Sequence, residues 1–285
     1  MNCGIDRCDN KWVRHITNLQ HEDGSSGYFH SLGQPTAAQP MSTEQALRRL
    51  RILGLTKDDE PVDRALCYLR DCLSGKLQPP DRREKVLNWD VFEAHMIAAW
   101  IRIFVPDDLL ALPVARMWAD IITLSFSTGA FNADMYASEY RKRIPILNKG
   151  ERMIALPQFY MVNLLKGLLN KENERCFIDF VINHPDGILY VNNSAIVDLP
   201  AEFTSSQASS YLAALEQLAG YSCAGEKLRF AVEWIIKHKD DNGEWDMGAS
   251  AKDGIHFPLS DSWRKPENRR RDCTVRIEKL LKALE

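Results

Sequence analysis

Ser42-Thr43-Glu44-Gln45-Ala46, with Leu50 four residues on, and Thr204-Ser205-Ser206-Gln207-Ala208, with Leu212 four residues on, are two settings of one pattern. Both read Ser/Thr-x-x-Gln ahead of an apolar series, the arrangement that satisfies the exposed amides at a helix start. Each predicted helix stops near a glycine, Gly54 in the first copy and Gly220 in the second. A second helix then follows in each: Arg64-Ala65-Leu66-Cys67-Tyr68-Leu69 stands beside Phe230-Ala231-Val232-Glu233-Trp234-Ile235, with alanine, aliphatic, aromatic and aliphatic positions in register. Upstream, Asp23-Gly24 recurs as Asp186-Gly187, so the chain repeats itself at a spacing of about 163 positions. A helical pair that cannot bury its apolar face alone must pack on others like it, stacked or in a circle.

Working outward, helical periodicity dominates and strand-type alternation is hard to find, which predicts an all-α protein. The expected helices lie near residues 10–19, 42–54, 61–73, 90–104, 109–126, 132–143, 152–169, 172–183, 205–219, 226–238 and 271–284. Pro61 sits in a favourable first-turn position behind Asp58, Asp59 and Glu60, Pro106 stops the long apolar helix that begins at Asp90, and Pro157 starts or kinks the helix around it. The longest loops, 20–41, 74–88, 184–203 and 240–270, are where function often resides.

With 285 residues and 45% hydrophobic content, the chain can bury one large core, and a single domain over residues 1–285 built from repeats is the simplest organisation. The net charge is −3, and the basic residues are scattered apart from Arg269-Arg270-Arg271, which argues against nucleic-acid binding. No run approaches the ~18 apolar residues of a membrane span, and the opening residues lack the apolar segment of a signal peptide. The expectation is therefore a cytoplasmic protein. Its seven cysteines are mostly embedded in helical patterns and read as reduced core thiols.

Three predicted helix ends share a device: Asp23-Gly24 followed by Tyr28 and Phe29, Asp186-Gly187 followed by Tyr190, and Asn242-Gly243 followed by Trp245. Glycine tolerates the positive φ that ends a helix, Asp or Asn bonds locally to the backbone, and the aromatic folds back over the helix end. By physics alone these are structural. Their arrangement also resembles the Gln/Trp repeat of the terpenoid cyclase and protein prenyltransferase superfamily, through Gln20-x-x-Asp23-Gly24-x-x-Gly27-Tyr28 and Trp234-x8-Gly243-x-Trp245. The stretch Phe257-Pro258-Leu259-x-x-Ser262-Trp263, then Arg271-Asp272-Cys273-Thr274, is similar to the closing part of bacterial prenyltransferase-like and squalene-cyclase-like proteins. The likeness spans most of the chain and is weakest between residues 106 and 200. It implies an α/α toroid, with the helices near 42, 90, 154, 205 and 271 inside and those near 10, 61, 109, 172 and 226 outside, around a cavity for an apolar or isoprenoid-like small molecule.

The superfamily's catalytic signatures do not carry over. Asp-x-Asp-Asp, the acid that protonates an alkene, is absent; Asp59-Glu60-Pro61-Val62-Asp63 is only a loose match to a magnesium-binding Asp-Asp-x-x-Asp and reads as a helix cap. Asp6-x-Cys8 has the spacing of a zinc pair, with His256 or His95 as distant partners, but its surroundings do not match. No metal and no cofactor is assigned. Candidate catalytic groups are Asp272, Glu93, Asp90 and His95, because charges inside apolar helices need a partner or a wet cavity. His95 equally reads as a core histidine, and Asp272 as an acid opening the last helix. Trp89, Trp263, His256, Tyr160 and Tyr211 are candidate substrate-binding walls, the aromatics able to stabilise a cation by their π faces. Three readings follow: an isoprenoid cyclase or transferase, a non-catalytic ligand-binding or scaffold toroid, and a carbohydrate-active α/α barrel using a carboxylate pair such as Glu93 with Asp272 or Asp90.

Overall fold

The computed structural model describes residues 10–30, 36 and 40–285, so the Asp6-x-Cys8 pair lies outside the described residues. The described residues form α1 (Lys11–Leu19), α2 (Thr43–Ile52), α3 (Glu60–Leu73), α4 (Trp89–Phe104), α5 (Ala111–Ser125), α6 (Ala133–Arg143), α7 (Phe159–Leu164), α8 (Lys171–Asn183), α9 (Ser206–Leu218), α10 (Ala224–Lys227), α11 (Arg229–Lys237) and α12 (Pro266–Ala283), with a 3-10 turn at Ala249–Ala251. Strand pairing among them is limited to two isolated bridges, Gln158 with Leu189 and Ile188 with Asn192. The protein is all-α. None of these helices is long and apolar enough to cross a membrane.

The two quoted starts behave differently. At α2 the capping box is complete: Ser42 Oγ accepts from the Gln45 amide at 3.2 Å, and Gln45 Oε1 accepts from the Ser42 amide at 2.9 Å. At α9 the cap is Ser205 rather than Thr204, and its Oγ accepts from the Ala208 amide at 3.0 Å. The residue three places on is then Ala208, which has no arm to reach back, and Gln207 stays exposed. The Thr204 carbonyl is instead engaged by Ser250 Oγ at 2.9 Å, tying the chain before α9 to the 3-10 turn.

α4 is deeply buried. Residues 95–102 are all buried, as an unbroken apolar run flanked by packing partners requires, and α3, α5 and α7 all pack against it. α7 in turn meets α9, and α9 meets α12 and the 3-10 turn. α7 is far shorter than the predicted 152–169. Pro157 has no amide to give a helix and disfavours helical geometry at Leu156. The chain there runs extended, its Pro157 carbonyl accepting from the Leu189 amide at 3.2 Å and the Phe159 amide donating to the Leu189 carbonyl at 3.1 Å. The predicted 226–238 helix is broken at Leu228 into α10 and α11. α12 begins at Pro266, a first-turn proline, and not at Arg271. Asp272 is consequently well inside the helix and its macrodipole role falls away.

The Asp/Asn-Gly turns adopt the geometry their residues call for. Gly24 has φ +91°, and a Cβ there would lie 2.2 Å from the Arg64 carbonyl oxygen; Gly187 has φ +62°, with the Asn192 and Ser194 carbonyls 2.3 Å from the same hypothetical atom. Both turns are therefore closed to any side chain. Trp245 folds back on α11, its indole donating to the Ile235 carbonyl at 2.8 Å. Phe29 is buried in the core, whereas Tyr190 stays half-exposed with φ +70°.

Candidate functional site

The C-terminal portions of α2, α4, α7 and α9 and one face of α12 converge on a cavity of about 1200 Å³. That exceeds the ~300–1,000 Å³ of ordinary small-molecule sites. On α12 the wall is set by helical spacing: Asp272, Arg276 and Leu280 form a buried row, and Arg271, Val275, Lys279 and Ala283 an exposed row beside it. The second row opens the cavity to water. The segment bearing His256, Leu259, Ser260 and Asp261 completes the lining. Ile52, Leu53, Ile103, Val191, Val275 and Leu280 supply an apolar wall.

The charge of this wall is lopsided. Arg48, Arg51, Arg102, Lys166, Arg271, Arg276 and Lys279 line it against only Glu216, Asp261 and Asp272, in a chain whose net charge is −3. Some of these cations are occupied. Arg102 donates to the carbonyls of Pro106 (2.8 Å), Leu164 and Lys166 (2.9 Å), fastening the end of α4 to the end of α7. Arg276 grips Glu216 through Nε at 2.7 Å and also reaches Ser209. Arg48 lies 4.6 Å over the Phe159 ring and 5.9 Å from the Trp100 ring.

Others are not. Among the described residues Arg51 has no carboxylate within salt-bridge distance, and Lys166 reaches only the neutral Asn163 Oδ1 at 2.9 Å, in a ladder that continues through Gln217 at 3.1 Å. Burial pushes the Lys166 ammonium well below its usual pKa, and the nearby Arg51 guanidinium pushes it further. Burial lowers Arg51 as well, against the pull of Glu216. Glu216 itself is held below its ordinary range: burial raises it, but Arg276, His256 and Arg51 outweigh that.

Asp272 and the loop before α12 form a clamp. Asp272 Oδ2 accepts from the Leu259 amide (2.9 Å), the Ser260 amide (2.8 Å), Ser260 Oγ (2.7 Å) and the Trp263 indole (2.7 Å). From the other side the buried Arg49 guanidinium donates to the carbonyls of Ile255 (2.6 Å) and Pro258. Within that loop Asp253 Oδ1 accepts from the amides of Ile255, His256 and Phe257, and Oδ2 lies 2.7 Å from His256 Nδ1. Those amides and the imidazole hold the Asp253 carboxyl far below its ordinary range in spite of burial.

At the opposite, N-terminal ends of α2 and α7 lies a closed polar cluster. Glu44 Oε2 is 2.9 Å from His30 Nδ1, the Tyr160 hydroxyl donates to Glu44 at 2.9 Å, and Arg48 approaches Glu44 Oε1 at 3.3 Å. Phe92, Tyr160 and Tyr190 pack edge-on around the His30 ring. Burial drives the Glu44 carboxyl up, but the His30 hydrogen bond, the Arg48 charge and Tyr160 together bring it below its ordinary value. Arg48 is the link between the ends: it touches Glu44 on one side and lines the cavity on the other.

Of the candidate catalytic and substrate-binding residues named from sequence, Asp272 and His256 line the cavity and the others do not. Asp90 is exposed and paired with Arg83, and Glu93 is half-buried near Trp89, its carboxyl raised by burial. His95 is fully buried, 4.9 Å edge-on from Trp118, and burial pushes its pKa down to about 3. Its Nε2 is 3.5 Å from Gln158 Nε2 and its Nδ1 has no partner, so it is a core ring rather than one bonded to a carbonyl. Tyr160 belongs to the Glu44 cluster, Tyr211 donates to the Ile196 carbonyl at 2.9 Å, Trp89 is buried beside Phe92, and Trp263 serves the Asp272 clamp. The residues that sequence reading passed over are His30, Glu44, Arg48, Arg51, Lys166 and Arg276. A signal existed in α2, where Glu44, Arg48 and Arg51 recur at helical spacing with Ile52 on one face. No protein-family model, curated protein or solved structure matches this chain.

Proposed function

We propose that the chain is an α/α toroid of the terpenoid cyclase and prenyltransferase type, with α2, α4, α7, α9 and α12 as its inner ring, and that it binds an amphiphilic, isoprenoid-like molecule carrying negative charge. The observation that supports this reading is the composition of the cavity: apolar side chains beside a surplus of cations, among which Arg51 and Lys166 form no ion pair with any described residue. A charge left unpaired in a confined space is unfavourable until an anion enters. Binding, rather than turnover, is the role assigned. Asp272 Oδ2 is committed to four donors, and Asp90, Glu93 and His95 stand away from the cavity. The same separation gives no support to a carboxylate pair acting on carbohydrate, since Glu93 does not share the cavity with Asp272.

The test compares two probes of equal length, farnesyl phosphate and farnesol, by isothermal titration calorimetry. The phosphate is expected to bind at least ten-fold more tightly, and the double substitution Arg51→Met, Lys166→Met to remove most of that margin. Equal affinity for the two probes, or a margin untouched by the substitutions, would overturn the reading.

A further inference from the structure

The loop between the 3-10 turn and α12 carries, in His256, a titratable ring that the Asp272 clamp does not use. His256 lines the cavity with its side chain 14% exposed. Its Nδ1 is taken by Asp253 Oδ2 at 2.7 Å, and Asp253 Oδ1 is itself fixed by backbone amides at 2.9 Å (Ile255), 2.7 Å (His256) and 3.2 Å (Phe257). A carboxylate immobilised in this way fixes both the tilt of the ring and its tautomer, with the proton on Nδ1. The other ring nitrogen, Nε2, has no hydrogen-bond partner among the described residues.

We propose that His256 is the proton-accepting contact of this cavity: held through Nδ1 by Asp253, it presents Nε2 to a docking oxyanion and takes up one proton from solvent as that oxyanion binds. This rests on the reading of the cavity as an anion-binding site. No covalent bond forms or breaks; the proton moves from water or buffer to Nε2, and the resulting N–H donates to the oxyanion.

The surroundings set the direction of the coupling. The charged groups facing His256 are Asp253 on its own loop, Glu216 on α9, and Arg276 on α12, with Arg49 and Arg51 of α2 and Asp272 of α12 in the same neighbourhood. Burial and Arg276 push the imidazole below its usual pKa, against the pull of Asp253 and Glu216, so the ring is neutral at pH 7. An oxyanion on the Nε2 side opposes both depressing effects, because it adds negative charge next to the ring and screens Arg276. The complex then holds a proton that the free protein lacks, and linkage makes binding tighter as the pH falls through that window. This goes beyond simple charge attraction: Arg51 and Lys166 supply affinity for an anion, whereas His256 makes that affinity depend on pH.

Sulfate is the appropriate probe, since its charge is the same at pH 6 and pH 8. Titrated calorimetrically at constant ionic strength, it is expected to bind the wild type at least about three-fold more tightly at pH 6 than at pH 8, since a one-unit upward pKa shift on binding reaches its ten-fold limit only well below both pKa values. Measured in two buffers of different ionisation enthalpy at pH 7, binding should be accompanied by proton uptake. His256→Gln is expected to bind sulfate with the same affinity at pH 6 and at pH 8, and without proton uptake. His256→Asn serves if the first variant does not fold, and Asp253→Asn, which loosens the ring, should weaken the pH dependence. Sulfate binding that is independent of pH in the wild type, or a pH dependence that survives in the His256 variants, overturns the proposal and leaves the anion-binding cavity standing. Absence of sulfate binding at both pH values overturns both.

Discussion

The two ends of the same helices have been built to opposite electrostatic rules. At the N-terminal ends of α2 and α7, Glu44 is buried but surrounded by His30, Tyr160 and Arg48, and aromatic rings exclude water. At their C-terminal ends Arg51 and Lys166 face a hollow of about 1200 Å³ without an ion pair to any described residue. The first arrangement neutralises a charge in place and contributes to stability; the second leaves charge over, which the proposed anionic ligand would neutralise. On the proposed reading, stability and binding are divided along one helix, with Arg48 at the boundary. Damage at the dry end should register as unfolding, and damage at the cationic end as lost binding with stability kept or gained.

The sharpest way to break this comparison is Glu44→Ala. Removing the carboxylate strands His30, Tyr160 and Arg48 in a closed environment, and breaking such a buried charged network costs about 3–5 kcal/mol. A urea titration should show a midpoint lowered accordingly. A loss under 1 kcal/mol would show that the cluster is not what holds this end shut.

His95 probes the dry interior by pH. Its folded pKa is pushed down to about 3 by burial, whereas the unfolded chain titrates near the ordinary value of 6.5. Between those values the unfolded state binds a proton that the folded state refuses. Its contribution is therefore intact above pH 6.5 and is lost as the pH falls, at about 1.4 kcal/mol per pH unit. His95→Leu should flatten this part of the acid limb, read as the difference in urea midpoints between pH 7 and pH 4.5 for variant and wild type. An unchanged difference would mean that the ring is protonated in the fold.

Legibility in the sequence follows the same division. Features made by neighbours along the chain were readable: the capping box at Ser42, the glycine turns at Gly24 and Gly187, and the apolar run of α4. Features made by chain closure were not. Arg48, Arg51 and Lys166 carry the same letters whether they face bulk water or a cavity, and only the convergence of five helices decides which. Asp272 was legible as important and illegible in role, because the start of α12 at Pro266 moved it from a helix tip to a position where loop amides reach its carboxylate. Glu44 was hidden inside a capping motif whose end residues explained the pattern without it. The Pro157 stretch shows the converse, an apolar segment of helical length that a single missing amide keeps extended.

Lys166→Met tests the cationic end and should move stability the other way. The folded ammonium has its pKa pulled down by burial and Arg51, so the unfolded chain keeps its proton to higher pH than the folded one. The wild type therefore gains stability as the pH rises from the folded pKa toward the ordinary lysine value, and below that window the penalty is fully present. A neutral side chain removes it. At pH 7 the variant should be about 1 kcal/mol more stable, since replacing an uncompensated buried charge by an apolar group relieves its desolvation. Its affinity for sulfate should fall several-fold at the same time. Lower stability together with unchanged binding would place Lys166 in the scaffold and not in the site.

The smallest effects are expected at the helix starts that face away from the cavity, and they separate two registers of one motif. If Ser205 caps α9, Ser205→Ala should cost about 1 kcal/mol and Thr204→Ala only a few tenths, because the hydroxyl that satisfies the Ala208 amide belongs to Ser205. Ser42→Ala in the first copy should cost as much as Ser205→Ala or more, since it also releases the reciprocal Gln45 arm. The Ser42 and Ser205 variants should leave sulfate binding untouched. The opposite order at Thr204 and Ser205 would restore the repeat to perfect register and make the second copy a full capping box. The measured order puts the difference between the copies either in one residue of register or nowhere.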